Sequence, residues 1–134
     1  MSNFIPEAPA MVLTIPMVGP QGPPGTIAPT TTLADAATIS IDISAGDSFA
    51  VTLGGDRTLN FTGGSAALNG KKILLRLKQD GTGSRNPIWG TMVRFGSDIP
   101  DITLTSTPDK TDIVGLIYDH SATKFDVVAF AKGY

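Results

Sequence analysis

Few residues of this sequence could do chemistry, and the first group is a glycine-bounded loop that ends in lysine. Gly64 and Gly70 precede Lys71, but five residues separate the two glycines, whereas a phosphate-binding loop has four. Lys72 stands where such a loop needs the serine or threonine that binds magnesium. The spacing therefore favours ordinary turn glycines over a nucleotide site.

Carboxylates form the second group. Calcium prefers clustered carboxylate oxygens, and four aspartates lie near one another in sequence: Asp98, Asp101, Asp109 and Asp112. Their spacing matches no EF-hand loop, and aspartate is also common in turns because its side chain bonds to nearby backbone. A pair of glycosidase carboxylates is the other alternative, but one Trp and two Tyr provide little aromatic surface for sugar stacking. Turn aspartates are the favoured interpretation.

A single histidine and the absence of cysteine limit the remaining chemistry. His120 follows Asp119 at the tip of a predicted hairpin, where a solvated turn histidine is favoured over a catalytic one. Without a second imidazole or any thiol, the chain has no thiol nucleophile, no disulfide and no thiolate metal site. We therefore expect no catalytic residue, no cofactor and no metal, and we predict that the protein is not an enzyme.

Composition indicates one domain with an appendage. The chain has 134 residues, a formal net charge of −2 and only 16% charged residues, below the roughly 25% of ordinary soluble domains. A surface with so few charges predicts extensive contact with protein. A sequence pI of about 5.1 gives no basic footprint for nucleic acid. No apolar run approaches the roughly 20 residues of a membrane span, so we expect neither nucleic acid nor membrane as a partner.

The first 18 residues are predicted to form an extended arm that docks onto another protein. Seven of the ten prolines lie within the first 29 residues, together with one charge, and proline-rich chain of this kind forms no helix and no core of its own. A loose N-terminus is the alternative. The candidate docking residues are the apolar ones: Phe4, Ile5, Met11, Val12, Leu13, Ile15, Met17 and Val18.

Residues 19–35 are predicted to be a short collagen-like stalk and linker. Glycine recurs at every third position with proline between, as in the collagen triple helix, where only glycine fits at the crowded axis. Two triplets cannot hold three chains together alone, so either a flanking domain trimerises the chain or the spacing is that of an ordinary linker. The candidate stalk residues are Gly19, Pro20, Gly22, Pro23, Pro24 and Gly25.

Residues 36–134 are predicted to be an all-β body. Alternation of apolar and polar residues indicates strands, and turn signals recur every eight to twelve residues. The last two segments are predicted to form a closing hairpin. These features favour an antiparallel β-sandwich or jelly roll. The predicted strands span 38–44, 48–53, 58–61, 72–78, 88–95, 102–105, 112–118 and 125–130.

Three stretches of the body resemble a β-rich module of tailed-bacteriophage structural proteins, namely 51–59 (VTLGGDRTL), 74–85 (LLRLKQDGTGSR) and 110–118 (KTDIVGLIY). The similarity covers roughly residues 36–134, and the collagen-like residues 19–25 add to it. The resemblance implies a trimerising, knob-like β domain of fibre and head-decoration proteins. Trimerisation is what the short stalk needs, so we expect a homotrimer.

The expected function is that of a virion structural protein, a capsid decoration (cement) protein on the outer surface of the capsid, with the major capsid protein as its partner. The alternative is a short head or tail fibre that adsorbs to a host-surface glycan or protein, which exposed aromatics such as Trp89 or Tyr118 would support. Arg76 lies opposite the apolar face of its strand. It is therefore either solvated, which is favoured, or paired across a subunit boundary.

Overall fold

The computed structural model describes residues 28–134, which form nine strands and one short 3-10 helix. The all-β prediction for the body is confirmed. The strands are β1 (Thr31–Thr32), β2 (Thr38–Asp42), β3 (Ser48–Leu53), β4 (Arg57–Thr62), β5 (Lys72–Gln79), β6 (Pro87–Trp89), β7 (Val93–Phe95), β8 (Thr111–Asp119) and β9 (Lys124–Ala131), and the 3-10 helix spans Ala66–Leu68.

The strands build two sheets between which the chain alternates. One sheet has six strands in the order β1-β3-β5-β8-β9-β7, and the other has three in the order β2-β4-β6. From β1 to β6 each strand pairs in parallel with the strand two positions along the chain. Parallel neighbours need a crossover connection, and here that connection is a strand of the opposite sheet.

One apolar core lies between the sheets. The inward positions of β2 to β5 alternate with outward ones, as in β2, where Ile39 and Ile41 are buried and the residues on either side of each are exposed. Successive side chains of a strand point to opposite faces. Phe125 on β9 stacks on Phe61 on β4 with ring centroids 4.7 Å apart, and lies 4.9 Å from Tyr118 on β8. These aromatic contacts join the six-stranded sheet to the three-stranded one.

The antiparallel sandwich was the wrong prediction for most of the body. Five of the seven strand pairings within residues 28–134 are parallel, and only β5–β8 and β8–β9 are antiparallel. A jelly roll is an antiparallel architecture, so it does not describe these pairings. The predicted closing hairpin is confirmed, since β8 and β9 pair from Asp119 and Lys124 outward. Alternation shows which face of a strand is buried but not the direction of its neighbour.

Two predicted strands also differ from the structure. Residues 102–105 form no strand, although Ile102 and Leu104 are buried in the core. Residues 88–95 are divided into β6 and β7, which belong to different sheets. Gly90 lies between them, and the backbone N–H of Val93 donates to its carbonyl at 3.2 Å, so the chain turns from one sheet to the other there.

The first strand of the six-stranded sheet, β1, lies within residues 19–35, the stretch predicted to be stalk and linker. Thr31 and Thr32 pair with Phe49 and Ala50 on β3. The chain therefore enters the body along the outer edge of the six-stranded sheet, next to β3.

Candidate functional site

The glycine-bounded loop is a packing feature. A Cβ at Gly64 would lie 2.5 Å from the Tyr118 hydroxyl, so only glycine lets the backbone approach that ring. The Lys71 Nζ donates to the Ile43 carbonyl at 2.5 Å. This lysine is thus held by the backbone between β2 and β3, in agreement with the prediction of a turn.

The four aspartates weighed as calcium ligands, for which turn aspartates were the favoured interpretation, form no metal-binding cluster among residues 28–134. Within residues 28–134, no three His, Cys, Asp or Glu side chains lie close enough together to hold a metal ion. Asp112 is buried and accepts hydrogen bonds from the backbone N–H of Thr105 at 2.6 Å and of Gly133 at 2.8 Å. Asp112 therefore holds the loop before β8 and the chain after β9 against the end of the sheet.

His120 takes part in a hydrogen-bonded corner. Its Nδ1 lies 2.9 Å from the Tyr118 hydroxyl, and its backbone N–H donates to the Asn69 side chain at 2.9 Å. Tyr118 is almost fully buried, and a buried tyrosine hydroxyl usually finds such a partner. The corner links the β8–β9 turn to the loop after the 3-10 helix.

Three of the four arginines form ion pairs with aspartates. The pairs are Arg57–Asp35 at 2.7 Å, Arg85–Asp80 at 2.9 Å, and Arg94 with Asp126 at 2.6 Å and Asp119 at 3.1 Å.

The hydrogen bond from Arg85, with backbone N–H groups of Gly83 and Thr82, lowers the pKa of Asp80 to about 2. The hydrogen bond from Arg57 likewise lowers the pKa of Asp35. These pairs fasten loops and strand ends to the body.

Arg76 differs from the other three. It lies half-buried on the outer face of β5 and forms no salt bridge among residues 28–134. Its Nη1 donates to the Ser48 hydroxyl of β3 at 3.1 Å. Both alternatives given for Arg76, a solvated side chain and one paired across a subunit boundary, are compatible with this position.

An apolar groove of about 600 Å³ runs across the outer face of the six-stranded sheet. Leu74 on β5, Ile117 on β8 and Val128 on β9 contribute its large apolar side chains, while Gly115 and Ala129 make a low floor between them. Leu74 is 44% exposed and Val128 52% exposed. We call this the outer groove.

Strand register explains how the outer groove forms. Leu74 pairs with Gly115, and Gly115 pairs with Ala129, so a large side chain stands beside two small ones in one row. A register shift between Gly115 and Leu116 leaves Val128 as the extra residue of β9. Such a bulge turns a side chain out of the regular alternation, and here it adds Val128 to the apolar surface.

Charged side chains surround the outer groove. Arg76, Lys72 and Asp47 lie along its β3–β5 side, and Arg94 pairs with Asp126 near the β7 edge. An apolar centre with a polar rim is the arrangement found in protein–protein interfaces. Contiguous apolar surface of this kind marks interaction sites on soluble proteins.

Sequence reasoning did not find the outer groove. A signal was present in β8, where Ile113 and Ile117 occupy outward positions although Val114, Leu116 and Tyr118 already fill the inward ones. A strand with apolar residues on both faces is typical of one that is covered on both sides. The bulge that adds Val128 has no comparable signal in the sequence.

The arm and stalk residues named from the sequence, Phe4 to Val18 and Gly19 to Gly25, lie outside the described residues. Ala28 and Thr30, the first part of the chain that the structure describes, line the outer groove. The chain preceding residue 28 therefore joins the body at this surface.

The two aromatic residues named in support of a fibre, Trp89 and Tyr118, are at most partly exposed. Tyr118 is buried, so it does not provide the exposed aromatic surface that would support the fibre alternative. Trp89 is half-buried and meets Phe95 edge to face, with ring centroids 5.9 Å apart.

Between residues 28 and 134 the structure has no helix long and apolar enough to span a membrane. Comparison of the chain with protein-family models, with curated proteins and with solved structures gives no match.

Proposed function

We propose that this protein is a structural component of a tailed-phage virion, a capsid decoration protein that binds the outer shell as a homotrimer and stabilises it. The observation that carries the proposal is the outer groove, an apolar and partly exposed sheet face at the point where the N-terminal chain joins the body. A body that presents such a face is suited to protein contact, and the resemblance to phage structural modules supports a virion as the setting.

The use of the charged side chains also favours a structural role. Arg57, Arg85 and Arg94 are held in ion pairs, and Asp112 is held by two backbone N–H groups. The pairs of Arg57 and Arg85 and the contacts of Asp112 hold loops and a chain end, and the pair of Arg94 and Asp126 joins β7 to β9. A protein that reinforces a shell needs a stable body whose loops and strands are held by such contacts.

Attachment is assigned to the apolar arm, residues 1–18. If one arm removes ~500 Å² of apolar surface from water, the gain is about 12 kcal/mol at ~25 cal/mol/Å². Ordering an extended chain offsets most of that gain. Three identical arms on a trimer that matches a threefold position of the shell act together through their high effective concentration. The trimer thus converts weak single contacts into lasting attachment.

A short head or tail fibre is the competing function. The two functions differ in the number of copies per particle, which quantitative mass spectrometry of purified virions measures. Decoration of the shell requires copies on the order of hundreds, because the contact repeats with the shell lattice. A handful of copies at a vertex or tail would instead identify a fibre and contradict decoration.

Truncation tests the role of the arm. We expect the chain lacking residues 1–18 to remain a folded trimer and to lose binding to capsids that have been stripped of this protein, as measured by co-sedimentation. The matched control is the full-length chain with Glu7→Gln, which removes the only charge of the arm and leaves its apolar residues in place. Undiminished capsid binding by the truncated trimer would contradict the assignment of attachment to the arm.

A further inference from the structure

We infer that the outer groove is the surface through which copies of this chain contact one another, so that the six-stranded sheets of three copies face the threefold axis. The inference rests on the trimer proposed above and adds which face of the body forms it. The occupant of the outer groove is thus a second copy of this chain, contributing its own six-stranded sheet.

Chain length places the outer groove near the axis. Gly25, the last glycine of the collagen-like repeat, precedes Ala28 by three residues, which span at most about 11 Å when fully extended. In a collagen-like stalk, glycines lie at the common axis of the three chains. Ala28 lines the outer groove. The groove face must therefore lie beside the axis in every copy, where the neighbouring copies are.

The apolar centre of the outer groove is exposed in a single chain, and contact with a second copy would bury it. Leu74 and Val128 are each about half exposed, and Ile117 lies two residues along β8 from Gly115, which forms part of the low floor. Burial of such side chains is the main source of stability in association. The raised side chains and the low floor give the face both knobs and a hollow, which a rotated copy can fill.

The charges of the face suit contact between rotated copies. Arg76 and Asp47 both line the outer groove and form no salt bridge with each other or with another side chain within residues 28–134. A buried guanidinium is tolerated only when it is paired. In a cyclic trimer two different patches of the surface meet at each contact. The outer groove has a cation on Arg76 and a carboxylate on Asp47, so opposite charges are available for such a contact.

The outer face of the three-stranded sheet lacks these features and provides the control. Its side chains are short and polar except for Ile88, which is 54% exposed on the edge strand β6. Ile88 therefore matches Val128 in exposure and in apolar character, but lies on the opposite side of the body.

The first experiment compares Val128→Glu with Ile88→Glu in the full-length chain, with sedimentation velocity as the readout. A carboxylate forced into an apolar contact without a partner is strongly unfavourable. We expect Val128→Glu to raise the protein concentration at which half of the trimer dissociates by at least about tenfold. We expect Ile88→Glu to leave that concentration unchanged. Circular dichroism of both variants checks that any change in sedimentation does not come from loss of the β-sheet fold.

Thiol labelling provides a second measurement that does not require disruption of the trimer. The sequence has no cysteine, so Leu74→Cys and Ile88→Cys each introduce a single reactive group. We expect the thiol at position 74 to react with a maleimide at least about tenfold more slowly than the thiol at position 88, because a well-packed contact excludes solvent.

The outcomes separate this inference from the proposed function. A wild-type chain that sediments as a monomer overturns both. A wild-type trimer that survives Val128→Glu, with equal labelling at positions 74 and 88, overturns the assignment of the face and leaves the trimer standing. If deletion of residues 1–18 makes position 74 reactive while the trimer persists, the arm covers the outer groove, and the contact between copies is overturned.

Discussion

The outward faces of the two sheets have the same strand period but different chemistry. On the three-stranded sheet, Ser40 pairs with Asn60 and Asp42 with Thr62, so neighbouring outward residues are hydrophilic. On the six-stranded sheet the corresponding rows contain Leu74 and Ile117. The first face shows that polar outward side chains are sufficient for a sheet of this fold. The apolar residues of the second face are therefore not required by the strand period alone, and the contact between copies inferred above would account for them.

The inner faces, by contrast, are alike. Ile39 and Ile41 on β2 are as completely buried as Leu75 and Leu77 on β5. The buried core therefore involves the inner sides of the strands, and the difference between the two sheets lies on their outer sides. Substitutions can address each side separately.

The largest effect is expected from Phe125→Ala, because Phe125 contacts aromatic rings from both sheets. Removal of a buried phenylalanine ring typically costs about 3–5 kcal/mol of unfolding free energy. Urea unfolding followed by Trp89 fluorescence, which reports on the three-stranded sheet, and by circular dichroism should show one coincident transition at lower denaturant.

The control for this variant is Val128→Ala three residues away, which faces outward and should change the unfolding free energy of the isolated body by less than about 1 kcal/mol. Two separate transitions in the Phe125→Ala variant would show that the sheets fold independently. The two outer faces would then belong to different folding units, and the comparison between them would fail.

A smaller effect is expected when each face is made more polar. Leu74→Thr and Ile88→Thr both replace an exposed apolar residue with one typical of strands, and each should change the unfolding free energy by less than about 1 kcal/mol. Only Leu74→Thr should weaken self-association, measured by sedimentation equilibrium over a dilution series. Equal weakening by both substitutions would mean that the two faces do not differ in function.

The sequence predicted the strands well because burial follows a local rule. Alternation placed Ile39 and Ile41, Phe49 and Val51, and Ile73 and Leu75 on inward faces, and all of them are buried. The β8–β9 hairpin was also predictable, since both strands and their turn lie within one short segment of chain. Parallel pairing was not, because β3 and β5 are joined through β4 in the other sheet. The short link at Gly54 and Gly55 has the sequence of an ordinary turn, although it carries the chain between the two sheets.

The candidate site was less predictable than the fold. Alternation within β5 leaves Leu74 on the side opposite the core, but its contribution to the outer groove depends on neighbours from β8 and β9 that only the register brings together. Arg76 was recognised as outward-facing, and both of its alternatives remained open. A surface made from three strands and a bulge cannot be derived from the pattern of any one strand.

The smallest effect concerns the ion pairs that fasten the loops, and it depends on pH. Asp80 has its pKa lowered to about 2, mainly by the hydrogen bond from Arg85, whereas an aspartate in an unfolded chain takes up its proton near pH 4. Between these values the unfolded chain binds more protons, so the stability that this carboxylate contributes above pH 4 is lost as the pH falls towards 2. Asp80→Asn should therefore make the unfolding free energy less dependent on pH in this window, as measured by urea titrations at successive pH values.

The control is Asp98→Asn. Asp98 is exposed and forms no salt bridge within the described residues. An unchanged dependence of the unfolding free energy on pH in Asp80→Asn would show that the Asp80–Arg85 pair contributes nothing to folding in this window.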